Sequence, residues 1–101
     1  MTPDIRVKIA GVEFANPVMT ASGCCGYGEE LGTVFPLVKL GALVTKSITL
    51  HPRLGHRPPR TAETASGMLN AIGLANVGID AFVRDKIPFL EKQKTKIIVN
   101  V

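Results

Sequence analysis

Tryptophan is absent, and aromatic residues make up only 5% of the chain. None of them falls within HPRLGHRPPR (residues 51–60), the densest basic stretch, which carries Arg53, Arg57, Arg60, His51 and His56. A nucleic-acid reader would interleave such charge with rings that stack on bases. This stretch therefore reads as local anion contacts or solvated surface, and no nucleic-acid partner is expected. No apolar run approaches the ~20 residues needed to cross a bilayer, so no membrane association is expected. The N-terminal MTPDIRVKIAG breaks its apolar residues with charge and lacks the hydrophobic core of a signal peptide. A soluble, cytoplasmic protein is the expectation. There is also no long block of one charge sign, and the net charge is +4 over 101 residues. With 46% hydrophobic residues, disorder is excluded and a length near that of one small domain remains.

Cysteine is confined to the adjacent Cys24 and Cys25, whereas an extracellular disulfide framework needs spaced pairs. The pair fits a reducing compartment. With nothing nearby to activate a thiol, it reads as two small residues in a tight loop. His51 and His56 have a spacing that suits a helix face, but Pro52 and Gly55 forbid that helix and no third ligand accompanies them. No metal site is expected.

What is present has a clear order. Ile5, Val7 and Ile9 alternate with polar or small residues, Gly11 turns the chain, and Val12 and Phe14 flank Glu13, which predicts a hairpin over residues 5–14. NPVMTA (16–21) predicts a strand that runs into the glycine-rich SGCCGYG. Glu29 and Glu30 suit the start of a helix carrying Leu31, Val34, Phe35, Val38 and Leu40, which Pro36 breaks and Gly41 stops. ALVTKS (42–47) predicts a second core strand. Residues 48–76 are rich in proline and glycine with little periodicity, a long loop of the kind that is functional or disordered. Asn76 is positioned to cap a helix with Ile79, Phe82, Val83, Ile87 and Leu90 on its apolar side, kinked or ended early by Pro88. KIIVNV (96–101) predicts a third core strand. The pattern of a hairpin followed by β-α-β-α-β, with nearly continuous apolar strands, is that of a parallel α/β sheet. An open doubly wound sheet and the first part of a (β/α)8 barrel both fit. A barrel takes about 250 residues, so on that reading the chain is a fragment.

Three strand ends carry polar groups. Ser22 follows the first strand, Lys46 and Ser47 close the second, and Asn100 lies near the end of the third. Ligands of parallel α/β proteins sit at the carboxyl ends of strands. A lysine inside the apolar VTKSITL is costly to bury without a partner, so such a residue as Lys46 leans out to water, shifts its pKa or holds an anion. With polar groups at all three strand ends, a ligand site is the favoured reading. The glycines at 23, 26 and 28 match neither a dinucleotide fingerprint nor a Walker loop. Gly23 instead lets backbone approach a flat ligand. In GMLNAIGLAN (67–76), Asn70 and the backbone around Gly73 could read a small planar, polar ligand from within an apolar loop.

NPVMTASGCCGYG, GALVTKSITL, PRLGHRPPR and ETASGMLNAIGLAN, in that order and spacing, resemble the N-terminal third of dihydroorotate dehydrogenase. The resemblance covers essentially the whole chain. It implies that residues 1–101 are the N-terminal part of a single FMN-binding (β/α)8 (TIM) barrel domain, preceded by a β-hairpin and truncated. It implies an oxidoreductase that converts dihydroorotate to orotate in pyrimidine biosynthesis. Carried over by motif, Ala21, Ser22, Lys46, Ser47 and Asn100 bind the cofactor. Lys46, Asn70, Ala71, Ile72, Gly73 and Leu74 bind the substrate, Asn70 at the pyrimidine ring and the 72–74 backbone at the carboxylate. NAIGL with SGCCGYGEE is more similar to the NAD-linked class 1B branch. A homodimer is expected there, paired with an iron–sulfur subunit that carries FAD and passes electrons to NAD.

Several residues depart from the family pattern. Cys24 and Cys25 stand where threonine and phenylalanine are more usual, Ala75 replaces a glutamine, and Val77 a proline. The family's proton-abstracting cysteine is expected beyond Val101, so no catalytic residue is assigned within the segment, which alone is expected to be inactive. Another FMN-barrel oxidoreductase acting on a related pyrimidine, and a non-catalytic remnant or assembly module, are the alternative readings.

Overall fold

A computed structural model describes residues 1–101. At the N-terminus β1 (Val7–Ile9) and β2 (Val12–Phe14) pair antiparallel, with Val7 opposite Phe14 and Ile9 opposite Val12. Ala10 and Gly11 both take positive φ, 48° and 82°, as a two-residue turn matched to strand twist requires. Of this hairpin only Phe14 is buried.

The predicted strand over 16–21 is reduced to one parallel bridge, Met19 to Ala42 of β3 (Ala42–Val44). The reason is local. The Thr20 hydroxyl accepts the Val44 N–H at 2.9 Å, taking a donor that a backbone ladder would have used. Asn16 holds the other end. Its amide donates to the Lys39 carbonyl, and its oxygen accepts the N–H groups of Val18 and Gly41. On the far side β3 pairs in parallel with β6 (Lys96–Ile98), Leu43 opposite Ile97. That pairing runs on past both strands, with Thr45 N–H donating to Ile98 O and Ile48 N–H to Asn100 O, each at 2.9 Å. The three segments thus lie side by side in chain order, all parallel.

Between them run the helical connections. α1 (Glu29–Val34) has two acidic residues in its first turn, favourable against the positive helix end. It stops before Pro36, which opens a short 3-10 turn at Leu37–Lys39. The second helical run comprises α2 (Gly78–Ala81), a π turn at Phe82–Lys86 and α3 (Ile87–Leu90). Pro88 sits in the first turn of α3 and the run continues through it. The wider π spacing precedes the proline, which has no N–H to give back to the preceding turn. The run ends two residues later. The Lys86 ammonium bonds Glu29 at 2.7 Å, tying the two helical runs together, and the carboxylate raises the Lys86 pKa above its ordinary value.

Tyr27, Leu37, Leu40, Leu43, Ile48, Phe82 and Leu90 form the core between β3 and the helices. Val83, expected on the apolar side of the helix, is exposed instead, because the π turn widens the spacing there. Inside the stretch expected to be loop lies a second antiparallel hairpin, β4 (Thr61–Thr64) with β5 (Gly67–Asn70). All eight of its residues are exposed, so it lacks the apolar alternation that marks a half-buried strand. No helix is long and apolar enough to cross a membrane.

Tyr27 is buried, its ring 5.7 Å from that of Phe82, and its hydroxyl has no hydrogen-bond partner. An unpaired buried hydroxyl costs about 1–3 kcal/mol. Tyr27→Phe keeps the ring packing, so thermal unfolding of the full-length protein is expected at an equal or higher temperature. A drop of several degrees would mean the hydroxyl is partnered after all.

Candidate functional site

The site begins where the three parallel segments end. Asn100 follows β6, and its amide nitrogen donates to Ser22 Oγ at 2.8 Å and, by a very short contact, to Ser47 Oγ. Ser22 Oγ donates in turn to the Thr45 carbonyl at 3.0 Å. One side chain thus ties the ends of all three segments. Both hydrogens of the Asn100 amide are used in this tie, which leaves its carbonyl oxygen as the group that can face a ligand. Ser47, which accepts from Asn100, keeps its own hydroxyl hydrogen to donate.

Lys46 lies between these serines in the sequence. Its backbone N–H donates to Gly26 O at 2.8 Å, which pins the glycine-rich loop against the end of β3. Its half-buried side chain takes part in none of the chain's ion pairs. A half-buried ammonium without a carboxylate is chemically suited to an anionic ligand.

The hairpin β4–β5 delivers the second wall. Asn70 ends β5, and the following loop crosses the open side of Lys46. Ser22, Gly23, Lys46, Ser47, Asn70, Ile72 and Leu74 together line one cleft of about 350 Å³. Three sequence-distant stretches are therefore brought to one place. The N–H groups of Ile72, Gly73, Leu74 and Ala75 donate to no acceptor in the chain. Consecutive free amides beside a lysine suit a carboxylate.

The loop is held from behind. Ala71 N–H donates to Arg60 O, His56 N–H to Ile72 O, and Arg53 and Asn76 exchange both backbone bonds. Gly73 has φ 79°, and a Cβ there would stand 2.7 Å from the His56 nitrogen. Neither the conformation nor the space admits a side chain. Arg60, read from sequence as solvated or anion-binding, is a clamp instead. Its guanidinium donates to the His56 and Leu54 carbonyls at 2.7 and 2.8 Å, closing the loop on itself.

Not every expected residue lines the cleft. Ala21 is exposed behind Ser22, its carbonyl accepting the Cys24 N–H. Ala71 faces a separate shallow hollow with Pro59, Arg60, Thr61, Ala62 and Leu69. Gly73 and Asn100 do not line it either; Gly73 lies between the lining residues Ile72 and Leu74, and Asn100 bonds Ser22 and Ser47. Cys24 and Cys25 are free thiols that line another hollow, with Glu30, Leu31 and Val34. Sequence reading missed Thr49 and gave Asn76 only a helix cap. Asn76 is buried and bonds Thr49, Leu74 and Gly78 together. The only signal for it was an asparagine six residues after Asn70, in a loop with no other reason for a buried amide.

The dihydroorotate dehydrogenase family model matches residues 4–101. The chain is 52% identical over 99 residues to the dihydroorotate dehydrogenase B (NAD(+)) catalytic subunit of Geotalea uraniireducens, covering 98% of this chain and 32% of that one. With the subunit of the same name from Geobacter metallireducens it shares 56% over 98 residues, 97% of this chain and 32% of the relative. It thus spans about a third of the length of the curated relatives it matches. Among solved structures, the ligand-free DHODH of Eimeria tenella superposes with a TM-score of 0.65 at 26% identity, over 98% of this chain and 30% of that one. The ferulenol complex of DHODH from the same organism shares the fold, with a TM-score of 0.63 at 23% identity over 99% and 28% of the two chains. The chain belongs to the dihydroorotate dehydrogenase family.

Proposed function

We propose that the protein to which this chain belongs is an FMN-dependent dihydroorotate dehydrogenase, oxidising dihydroorotate to orotate in pyrimidine biosynthesis. Residues 1–101 form the first part of its (β/α)8 barrel, with β1–β2 as the hairpin that precedes it. The observation that carries this reading is one cleft lined by an ammonium without a counter-ion and by Ile72 and Leu74, from a loop whose 72–75 N–H groups are unpaired. Dihydroorotate and orotate present both a carboxylate and a hydrogen-bonding ring, planar in orotate, the two features such a cleft distinguishes.

The residues fit FMN as well. Gly23 adds no Cβ to the wall, and an added Cβ there would meet nothing within 4 Å, so a planar ring has room against the backbone. Ser47 offers a hydroxyl hydrogen and Asn100 a carbonyl oxygen toward such a ring. FMN, when bound, supplies the oxidant. Lys46 would supply positive charge at the cleft, favouring binding of the anionic substrate. Asn70 orients the pyrimidine through its amide, and the 72–74 amides hold the carboxylate. The proton-abstracting cysteine lies beyond Val101 in this reading, and Cys24 and Cys25 take no part. The relatives' names, which give NAD(+) and a catalytic subunit, support electron transfer to NAD through a separate subunit. The family resemblance places an iron–sulfur cluster and FAD in that subunit. A homodimeric, cytoplasmic enzyme completes the proposal.

Anaerobic mixing of the FMN-loaded, full-length protein with dihydroorotate tests it. Rapid bleaching of the flavin's visible absorbance is expected. Bound flavin that stays oxidised would move the substrate elsewhere, and a protein that binds no flavin would end the oxidoreductase reading.

Gly73→Ala is expected to raise the orotate dissociation constant at least tenfold. The left-handed conformation alone costs a residue with a side chain roughly 1–2 kcal/mol, and the clash with His56 adds to it. Retained FMN content with weakened orotate binding, read by calorimetry, is the expected signature. Unchanged affinity would remove the loop from the site.

A further inference from the structure

We infer that Asn76 is a positioning residue for the substrate, holding the 72–75 amides in the geometry that receives a carboxylate. The inference rests on the proposed reading of the cleft and adds a residue to it.

Leu74 has φ 55°, directly after Gly73 at 79°. A leucine in the left-handed region is unfavourable by roughly 1–2 kcal/mol, so something outside the residue must hold it there. The backbone bonds of the loop do not. They anchor Ala71 and Ile72 on one side and Asn76 on the other, and none involves Leu74. The one bond to Leu74 is from the Asn76 side-chain amide to its carbonyl, at 2.9 Å.

Asn76 is itself fixed from every direction. It is 8% exposed. Its oxygen accepts the N–H of Gly78 at 2.9 Å and of Thr49 at 3.2 Å, and its nitrogen also donates to Thr49 Oγ1 at 2.9 Å. Thr49 lies three residues after Lys46, and its hydroxyl donates onward to the His51 carbonyl at 2.7 Å. One buried amide thus links three things: the chain leaving Lys46, the start of α2, and the strained end of the amide loop. Its acceptor side serves the fold, and its donor side serves both the loop and Thr49.

That division makes the inference testable with one isosteric change. Asn76→Asp keeps an oxygen for Gly78 and Thr49, and a carboxylate at a helix start is favourable. It removes the donor to Leu74 and sets an oxygen against the Leu74 carbonyl. The donor to Thr49 Oγ1 is lost as well, but the Thr49 hydroxyl, 3.1 Å from the Asn76 oxygen, can donate to the carboxylate in its place. In the full-length, FMN-loaded protein, Asn76→Asp is expected to raise the orotate dissociation constant about tenfold or more, the size of one hydrogen bond to a charged ligand's cradle. FMN content is expected to be unchanged. The same substitution in a Leu74→Gly background is expected to cost less than about threefold, because glycine adopts positive φ unaided. A general loss of packing would cost the same in both backgrounds. An equal loss in the two, or none in either, overturns the inference.

The loop can also be read without ligand, from the Leu74 amide resonance in protein labelled with [15N]leucine. Asn76→Asp is expected to displace it, and an unmoved resonance overturns the positioning role. A displaced resonance in a protein whose unsubstituted form binds no orotate would sustain Asn76 as the holder of the loop while removing the substrate reading itself.

Discussion

Lys46→Ala is expected to slow flavin reduction by dihydroorotate and weaken orotate binding together, each by roughly tenfold to a hundredfold. The size follows from the loss of a hydrogen bond to a charged partner, about 1.5–3 kcal/mol. The joint effect follows from where the residue sits. Lys46 reaches the cleft from the end of β3, between two serines tied through Asn100, and opposite the loop that ends at Leu74. Nothing in the chain neutralises it. On the proposed reading its removal therefore takes positive charge away from both the flavin ring and the substrate carboxylate, and no carboxylate of the protein is left orphaned in exchange. The fold should survive, since the strand's own anchor at this point is the backbone bond to Gly26. Stopped-flow bleaching across a range of dihydroorotate concentrations separates the two effects. A variant with wild-type reduction kinetics would remove Lys46 from the site.

Much of the cleft was legible because its chemistry violates local rules. A lysine among apolar strand residues, a serine after each of two strands and an asparagine near the end of a third each stand out against an apolar sheet. Their meeting depends only on the parallel order of the strands, which the alternation of strands and helices already implied. The opposite wall was harder. β4 and β5 are exposed along their whole length, and nothing periodic distinguishes them from the prolines and glycines around them. Their pairing is local, held by the Thr61–Asn70 to Thr64–Gly67 register rather than by a buried face. The strand over 16–21 erred the other way. Its composition is right for a strand, but Thr20 and Asn16 replace ladder bonds with side-chain bonds, and composition does not show that substitution. Asn76 illustrates the same limit. A role at the start of α2 was readable from its place before the helix, though Val77 takes the cap position and Asn76 accepts the Gly78 N–H from one residue further out. The bond to Leu74 depends on a left-handed leucine that no pattern announces.

Gly41 was read as the residue that stops the first helical connection, and its role is different. It does not take the positive φ of a left-handed cap. A Cβ built on it would lie 1.9 Å from the backbone oxygen of Asn16, and 3.0 Å from the carbonyl carbon behind it. Both are main-chain atoms, so no rotamer change can make room. The same glycine donates its N–H to the Val18 carbonyl at 2.9 Å and to Asn16 Oδ1 at 3.0 Å. Close approach at this one point sets how the 16–21 segment meets β3. It therefore fixes the position of Ser22, four residues beyond Val18, relative to Lys46. Gly41→Ala is expected to force the two segments apart and to destabilise the full-length protein by more than the ~1–3 kcal/mol typical of overpacking, since the obstruction is backbone rather than side chain. Poor soluble yield, or a melting temperature lowered by many degrees with loss of bound FMN, is the expected result. Asn16→Ala is expected to be milder, because it removes the side-chain bonds to Lys39, Val18 and Gly41 but leaves the Gly41-to-Val18 backbone bond in place. If Gly41→Ala melts within a degree or two of the wild type, the segments are not held in this contact. The alignment of Ser22 with Lys46 would then need another cause.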